Sequence, residues 1–514
     1  MKELIDELRA KLDASKLGGG KKNIEKQHAS GRLTARERLD LLLDPGTFYE
    51  INMFATSNAQ DFGMDKNRFP GDGVITGSGK INGRPVYVIF QDFTVLGGTL
   101  GAMHANKITM TQDLALKNRV PCIQILDSGG ARIQEGILAL DGYGKIFLRN
   151  TWASGVIPQI SVMVGPTAGG AVYSPGLTDF VFMVEKIGMM FITGPEVIKK
   201  VTGEEVTVEN LGGARIHNEK SGVAHFSSPN EKECFASVKK LLSFLPSNCD
   251  ESPPVLPTPR EPILPDESLE KIVPTSTKRV YNIKDVITRV VDNKDFLEVQ
   301  ASFATNAVVG FARLAGRVIG IVANQPLSKA GVLDIDSSDK IARFVRFCDA
   351  FNIPLINFVD VPGYLPGTQQ EYGGIIRHGA KVLYAYSEAT VPKISLIIRK
   401  AIGGAYIALC SQGMGYDYIF AYPTANIAVM GAEGAVSILY RKEIKEAGDP
   451  GKYRKEKENE YDEKFSKPYY AASTGLVSAI IEPRNTRQEL IRALEDLLTK
   501  KEGRPSKKHG NPPF

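Results

Sequence analysis

Apolar residues follow two rhythms along this chain. Short runs rich in β-branched residues, "PVYVIF" (Pro85–Phe90), "CIQILD" (Cys122–Asp127), "QISVMV" (Gln159–Val164), "VIGIVA" (Val318–Ala323), "LINFVD" (Leu355–Asp360) and "KISLII" (Lys393–Ile398), lack a polar alternation. That pattern predicts strands covered on both faces. Between them lie stretches such as "GAMHANKITMTQDLALKN" (Gly101–Asn118) and "SDKIARFVRFCDAFN" (Ser338–Asn352), whose helical period predicts packed helices. Strand, turn, helix, strand is the rhythm of parallel βαβ units, so the fold class is α/β. The first 40 residues differ, being charged and heptad-like, and Thr34-Ala-Arg-Glu37 supplies a capping box for a helix.

The pattern occurs twice. "VPCIQILDSGG" matches "IPLINFVDVPG", with Asp127 over Asp360 and Gly130 over Gly363 at an offset of 233. "VIPQISVMVGPTAGGA" matches "TVPKISLIIRKAIGGA", with Gly169 over Gly403 at an offset of 234. Asp44 and Phe48 likewise match Asp292 and Phe296 at an offset of 248. A module of about 230 residues is therefore duplicated. Between the copies, Pro246 to Pro274 holds eight prolines, and proline removes donors and fixes φ. The expected organisation is a first domain over 1–245 with its helical leader, an extended linker over 246–274, and a second domain over 275–514.

Composition narrows the function. With 514 residues and 43% hydrophobic content, the chain can fill two cores. Its 63 basic and 58 acidic side chains leave only +5, with no basic block suited to nucleic acid. No window supplies 18 uncharged apolar residues, and the charged amino terminus does not read as a signal peptide. Five scattered cysteines without a CxxC pair argue for reduced thiols and against a structural zinc. The expectation is a soluble, cytoplasmic, metal-free protein that inserts in no membrane and binds no nucleic acid.

The candidate chemistry lies in the duplicated turns. "GPTAGGAVYSP" (Gly165–Pro175) and "RKAIGGAYIAL" (Arg399–Leu409) each place Gly-Gly-Ala where a strand passes into a helix. Paired glycines there weaken an element by roughly 0.5–1 kcal/mol each relative to alanine, so the backbone must be serving another purpose. In βαβ units ligands bind outside the carboxyl ends of strands. A small-residue turn entering a helix leaves several N–H groups without internal partners at the positive end of the dipole, which suits an oxyanion. "DSGGARIQEG" (Asp127–Gly136) and "DVPGYLPGTQQEYGG" (Asp360–Gly374) would form the facing walls. No phosphate loop, GxSxG, HExxH or paired carboxylate constellation accompanies them, and His225 and His378 read as packed or capping residues. Two anion holes with little side-chain chemistry suit a reaction in which two enolate-like species meet.

These motifs, together with "FVDVPGYLPGTQQEYGGIIRHGAKVLYAYSEATVPKI", "ANIAVMGAEGAV" and the closing "KKHGNPPF", resemble the carboxyltransferase (beta) subunit of biotin-dependent acyl-CoA carboxylases of the propionyl-CoA type. The resemblance implies two tandem crotonase-like β-β-α superhelix domains, a homohexameric core, and active sites shared between the first domain of one subunit and the second of another. It implies oxyanion pairs at Gly169–Gly170 and Gly404–Ala405, one polarising the acyl-CoA thioester and the other the biotin ureido oxygen, without fixing which serves which. Acyl-CoA would lie along Gly129, Gly130, Ala131, Arg132, Tyr406 and Ile407; biotin would lie along Pro362, Gly363, Gly367 and Gly403. Strongly propionyl-selective relatives carry aspartate where this chain has Ile407, so use of acetyl-CoA as well as propionyl-CoA is implied; the other reading makes Ile407 a core residue. The chain has no Met-Lys-Met biotinylation site and no ATP-binding loop, so biotin carboxylase and biotin carboxyl carrier subunits are implied as partners. The same machinery run in reverse would serve a methylmalonyl-CoA decarboxylase sodium pump or a transcarboxylase.

Overall fold

The computed structural model describes residues 1–258, 264–276 and 279–514. It divides into two compact units, Met1–Glu251 and Ser252–Phe514. In the first unit, strands β1 (Tyr49–Ile51), β2 (Val74–Ile81), β3 (Arg84–Gln91), β4 (Cys122–Ser128), β5 (Gln159–Ala168), β6 (Phe180–Val184), β7 (Met189–Phe191) and β8 (Phe226–Ser228) form one sheet. Its order is β1-β2-β3-β4-β5-β6-β8, with β7 paired to the far half of β5. The two pairs formed by β1, β2 and β3 are antiparallel and the rest are parallel.

The second unit repeats this plan with β9 (Phe296–Val299), β10 (Ala307–Leu314), β11 (Arg317–Asn324), β12 (Leu355–Val361), β13 (Lys393–Ile402), β14 (Tyr418–Ala421), β15 (Asn426–Ala428) and β16 (Ala479–Ile480). The order is β9-β10-β11-β12-β13-β14-β16, with β15 on β13. The duplication read from sequence is thus a duplication of topology. All residues of β4 and β12 are buried, as strands without alternation should be. Helices Ala102–Asn118 and Ile137–Ala153 pack together with Ile89, Ile108 and Ile146 in the first core. The second core joins Ile321, Ile356, Ile394 and Tyr422 to Val286, Ile287 and Leu490.

Polar residues repeat as faithfully as apolar ones. Asp44 accepts the Asn82 and Gly83 amides at the β2–β3 turn, and Asp292 accepts those of Ala315 and Gly316 at the β10–β11 turn. Lys107 and Lys340, 233 residues apart, are both buried. Lys107 Nζ donates to the Gly71 and Val74 carbonyls; Lys340 Nζ donates to those of Gln300, Phe303 and Ala307 at 2.8–2.9 Å. Burial pushes the Lys340 amine down from 10.5 to about 7. An unfolded lysine keeps its proton up to about 10.5, so raising the pH from 7 through that window favours the folded state. The thermal midpoint should therefore climb between pH 7 and pH 9, and climb less steeply in Lys340→Met. An unchanged slope would mean that three carbonyls keep Lys340 protonated throughout.

The leader is helical over Lys2–Ser15, Lys21–Ala29 and Ala35–Leu42, and the Thr34–Glu37 capping box is formed. It does not stand apart from the sheet. Fully buried Arg38 donates from Nε to Glu231 (2.6 Å), from Nη1 to Asp127 (2.8 Å) and from Nη2 to the Val164 carbonyl (3.0 Å). Arg32 reaches the other Asp127 oxygen at 2.8 Å. In the second unit Asp360 finds its cation on the neighbouring strand, Arg399 Nε at 2.8 Å. The position matching Arg399 is Gly165, where an added Cβ would stand 1.9 Å from Asp127 Oδ1. Glycine there makes room for the leader's arginines.

Part of the expected linker, 259–263, lies outside the described residues. The rest is not wholly extended: Leu269–Ile272 is a short helix, because Leu269 and Val273 are drawn into the second core. Leu256 donates its amide to the Gly316 carbonyl, holding the segment to the β10–β11 turn.

Candidate active site

Each unit carries one glycine turn, built the same way. In the β4–β5 pair the register shifts between Leu126 and Ser128, and in β12–β13 it shifts between Val359 and Val361. The residue at each shift is the repeated aspartate. Past it, β5 exchanges β6 for β7 and β13 exchanges β14 for β15, while β4 and β12 stay paired. Each strand then ends on a glycine in the left-handed region, Gly169 at φ +63° and Gly403 at φ +62°. That conformation is open to glycine at little cost.

The turn continues as helix, Gly169–Val172 followed by Tyr173–Leu177 in the first unit and Gly404–Cys410 in the second. The leading amides are committed elsewhere: Gly169 N–H donates to the Ile192 carbonyl (3.1 Å) and Gly403 N–H to that of Ala428 (2.9 Å). The amides that follow, Gly170 and Ala171 in one unit and Gly404 and Ala405 in the other, head the helical turns. No protein acceptor is recorded for them among the described residues. Of the expected pair Gly169–Gly170, the first amide is thus taken by the Ile192 carbonyl, and the amides without a recorded acceptor are Gly170 and Ala171 in the first unit, Gly404 and Ala405 in the second.

The other wall in the first unit is the turn after β4. Gly129 donates to the Gly97 carbonyl at 2.9 Å, and Gly130, at φ +95°, donates to Ser128 Oγ at 3.1 Å. Gly130 lies against Ala168, where an added Cβ would be 3.0 Å from the carbonyl oxygen, so the two turns meet. Ala131 is bridged to Leu100. The Arg132 side chain faces inward. It is 1% exposed and pairs with Asp72 (2.7 Å), Glu135 (2.8 Å) and the Thr99 carbonyl (2.8 Å), bracing the wall rather than offering a free cation.

In the second unit Pro362 and Gly363 lead into Tyr364, whose ring lies 3.7 Å from where a Cβ on Gly404 would be. Gly363 accepts the Leu333 amide at 3.0 Å. Gly367, at φ +130°, has open space around it and no recorded contact with the glycine turn. Tyr406 is half-buried and its amide closes the first helical turn on Gly403. Ile407 is 47% exposed, so it is not a core residue. His225 accepts the Val181 amide through Nδ1, a packed role, and His378 pairs with Asp339. No cluster of His, Cys, Asp and Glu suited to a metal occurs among the described residues, and no helix there is long and apolar enough to cross a membrane.

Two tyrosines escaped the reading of the motifs. The Tyr143 ring lies against Gly170 as the Tyr364 ring does against Gly404. Spacing offered no signal for them, because they occupy different places in the repeat.

Known proteins resemble the chain over its full length. The carboxyl transferase domain matches residues 26–512. The chain belongs to the carboxyl transferase family. Among relatives, methylmalonyl-CoA decarboxylase subunit alpha of Veillonella parvula is 56% identical across this whole chain and 99% of its own length. The propionyl-CoA carboxylase carboxyltransferase subunit of Haloferax mediterranei is 54% identical across the whole of both chains. A crystal structure of transcarboxylase 12S, solved with hydrolysed methylmalonyl-coenzyme A bound, matches with a TM-score of 0.97 at 52% identity, covering all of this chain and 99% of that one. This carboxyltransferase therefore has the crotonase-like fold in tandem, as its motifs implied.

Proposed function

We propose that this chain moves a carboxyl group between biotin, carried on another polypeptide, and the α-carbon of a short acyl-CoA, propionyl-CoA or acetyl-CoA. The observation that carries the reading is the pair of matched helix heads, each with two amides for which no acceptor is recorded among the described residues, in a chain alike over its full length to carboxyltransferase subunits named for propionyl-CoA and methylmalonyl-CoA. Two directed N–H groups fit an oxygen that gains negative charge.

Gly170 and Ala171 would hold the thioester oxygen, favouring loss of the α-proton by stabilising the enolate. Gly404 and Ala405 would hold the ureido oxygen on the biotin side, with Pro362, Gly363 and Gly403 beside them. Biotin supplies the carboxyl group and a ring nitrogen able to accept a proton, consistent with the lack of a histidine or carboxylate base at either turn. Gly129 and Gly130 would line the acyl-CoA path. A homohexameric core, as in transcarboxylase 12S, and separate biotin carboxylase and carrier subunits complete the reading.

A second direction has its own support: methylmalonyl-CoA decarboxylase alpha subunits of Veillonella parvula and Propionigenium modestum are 56% and 55% identical to this chain. The same amides serve decarboxylation, with biotin as acceptor. The neighbouring genes discriminate: an ATP-dependent biotin carboxylase favours carboxylation and a multi-span membrane protein favours the pump.

The test of substrate is transfer from a carboxylated carrier to acetyl-, propionyl- and butyryl-CoA. The first two should be accepted. Ile407, exposed one turn into the helix after Gly404, would feel the acyl chain in this reading, and a single methylene is worth only about 1–3 kcal/mol in a hydrophobic pocket. Ile407→Asp should shift the kcat/KM ratio toward propionyl-CoA. An unchanged ratio removes Ile407 from the specificity argument.

A further inference from the structure

The two units wall their glycine turns with the same side chain from different positions. In the first, Tyr143 comes from helix Ile137–Ala153, and a Cβ on Gly170 would lie 3.2 Å from its ring. In the second, Tyr364 comes from the turn after β12. Its backbone bridges to Leu333 as that of Ala131 bridges to Leu100, so Tyr364 and Ala131 are equivalent positions 233 residues apart. Where the second unit has this large residue, the first has alanine. The helix Ile375–Glu388 makes the reverse concession: Gly379 faces the Tyr364 ring, and a Cβ there would be 3.0 Å from it. Large and small have changed places, and the ring beside the turn is kept.

The hydroxyls are the second observation. Both are buried without a hydrogen-bond partner. Ser128 is near Tyr143, but its hydroxyl donates to the Gly98 carbonyl and accepts the Gly130 amide, and no bond of ordinary geometry joins it to the tyrosine. Other buried tyrosines are satisfied: Tyr386 by Asn357, Tyr416 by the Ala408 carbonyl, Tyr422 by Thr486. Tyr281, under the Arg399 guanidinium, is the other exception among the described residues. An orphaned hydroxyl lowers stability, and phenylalanine would fill the same volume without that loss. Burial also raises both phenols, Tyr364 to about 12, so each is a neutral donor at physiological pH.

Resting on the carboxyl-transfer reading, we propose that Tyr143 and Tyr364 are positioning residues for the two amide pairs. Each ring fixes the head of one turn, and each hydroxyl gains its hydrogen-bond partner only in the transition state. The test uses the purified full chain, with transfer from methylmalonyl-CoA to free biotin followed as propionyl-CoA formation. Tyr143→Phe and Tyr364→Phe should each fold with an unchanged or raised thermal midpoint. Each should lose about tenfold in kcat while KM for methylmalonyl-CoA stays within about twofold. Tyr143→Leu and Tyr364→Leu, which lose the ring as well, should fall lower still. Phenylalanine variants turning over at the wild-type kcat would overturn the proposal. A wild-type chain that transfers no carboxyl group would instead overturn the reading on which it rests.

Discussion

Arg38→Ala is expected to lower the melting temperature of the first unit by about 10 °C, the largest stability effect of any single side chain discussed above. Arg38 is fully buried and joins two carboxylates that lie far from it in sequence, Asp127 and Glu231. Removing it leaves Glu231 with the Leu33 amide and Asp127 with Arg32 and Gln27. Taking one partner from a buried ion pair costs about 3–5 kcal/mol, because the charge left behind is desolvated and uncompensated. The measurement is a thermal melt combined with limited proteolysis of residues 1–251. Arg32→Ala, at a partly exposed position, should cost much less. A drop below about 1 kcal/mol in Arg38→Ala would show that water enters and replaces the guanidinium.

Gly404→Val should do the opposite, leaving the fold intact and removing activity. Gly404 is exposed, its φ is not positive, and an added Cβ meets only the Tyr364 ring at 3.7 Å, an ordinary contact. Yet the new methyl groups would stand over the amides of Gly404 and Ala405, where the proposed function brings an oxygen. Losing one oxyanion donor costs about 10²–10³ in kcat, and blocking both should cost at least that. The thermal midpoint should move by no more than about 2 °C. Transfer within about threefold of wild type would show that these amides do not hold the reacting oxygen. Gly170→Val is a useful contrast: its Cβ already crowds Tyr143 at 3.2 Å, so folding and activity should fall together.

Much of this architecture is legible in the sequence because it is repeated. Asp127 over Asp360 and Gly169 over Gly403 mark equivalent points of two sheets whose strand orders coincide. Lys107 and Lys340 share that offset and were equally available to such a reading; they escaped it because a lysine in a helix usually reads as a solvated one. What spacing could not supply is any contact between unlike positions. Nothing local announces that Arg38 meets Glu231, or that Gly165 is small so that Asp127 can turn toward the leader. The partner of the Gly169 amide was hidden for a different reason. Its motif shows a glycine pair but not that β7 runs on to Ile192 and takes the first amide.

The exchange of bulk between Ala131 with Tyr143 and Tyr364 with Gly379 limits how the two halves can be recombined. Splicing the "DVPGYLPG" segment into the first half would force two aromatic rings into space built for one. Splicing "DSGGARIQEG" into the second would leave a hole beside Gly404. Despite a common plan, the halves have become non-interchangeable parts, and any hybrid must carry its segment and the following helix together.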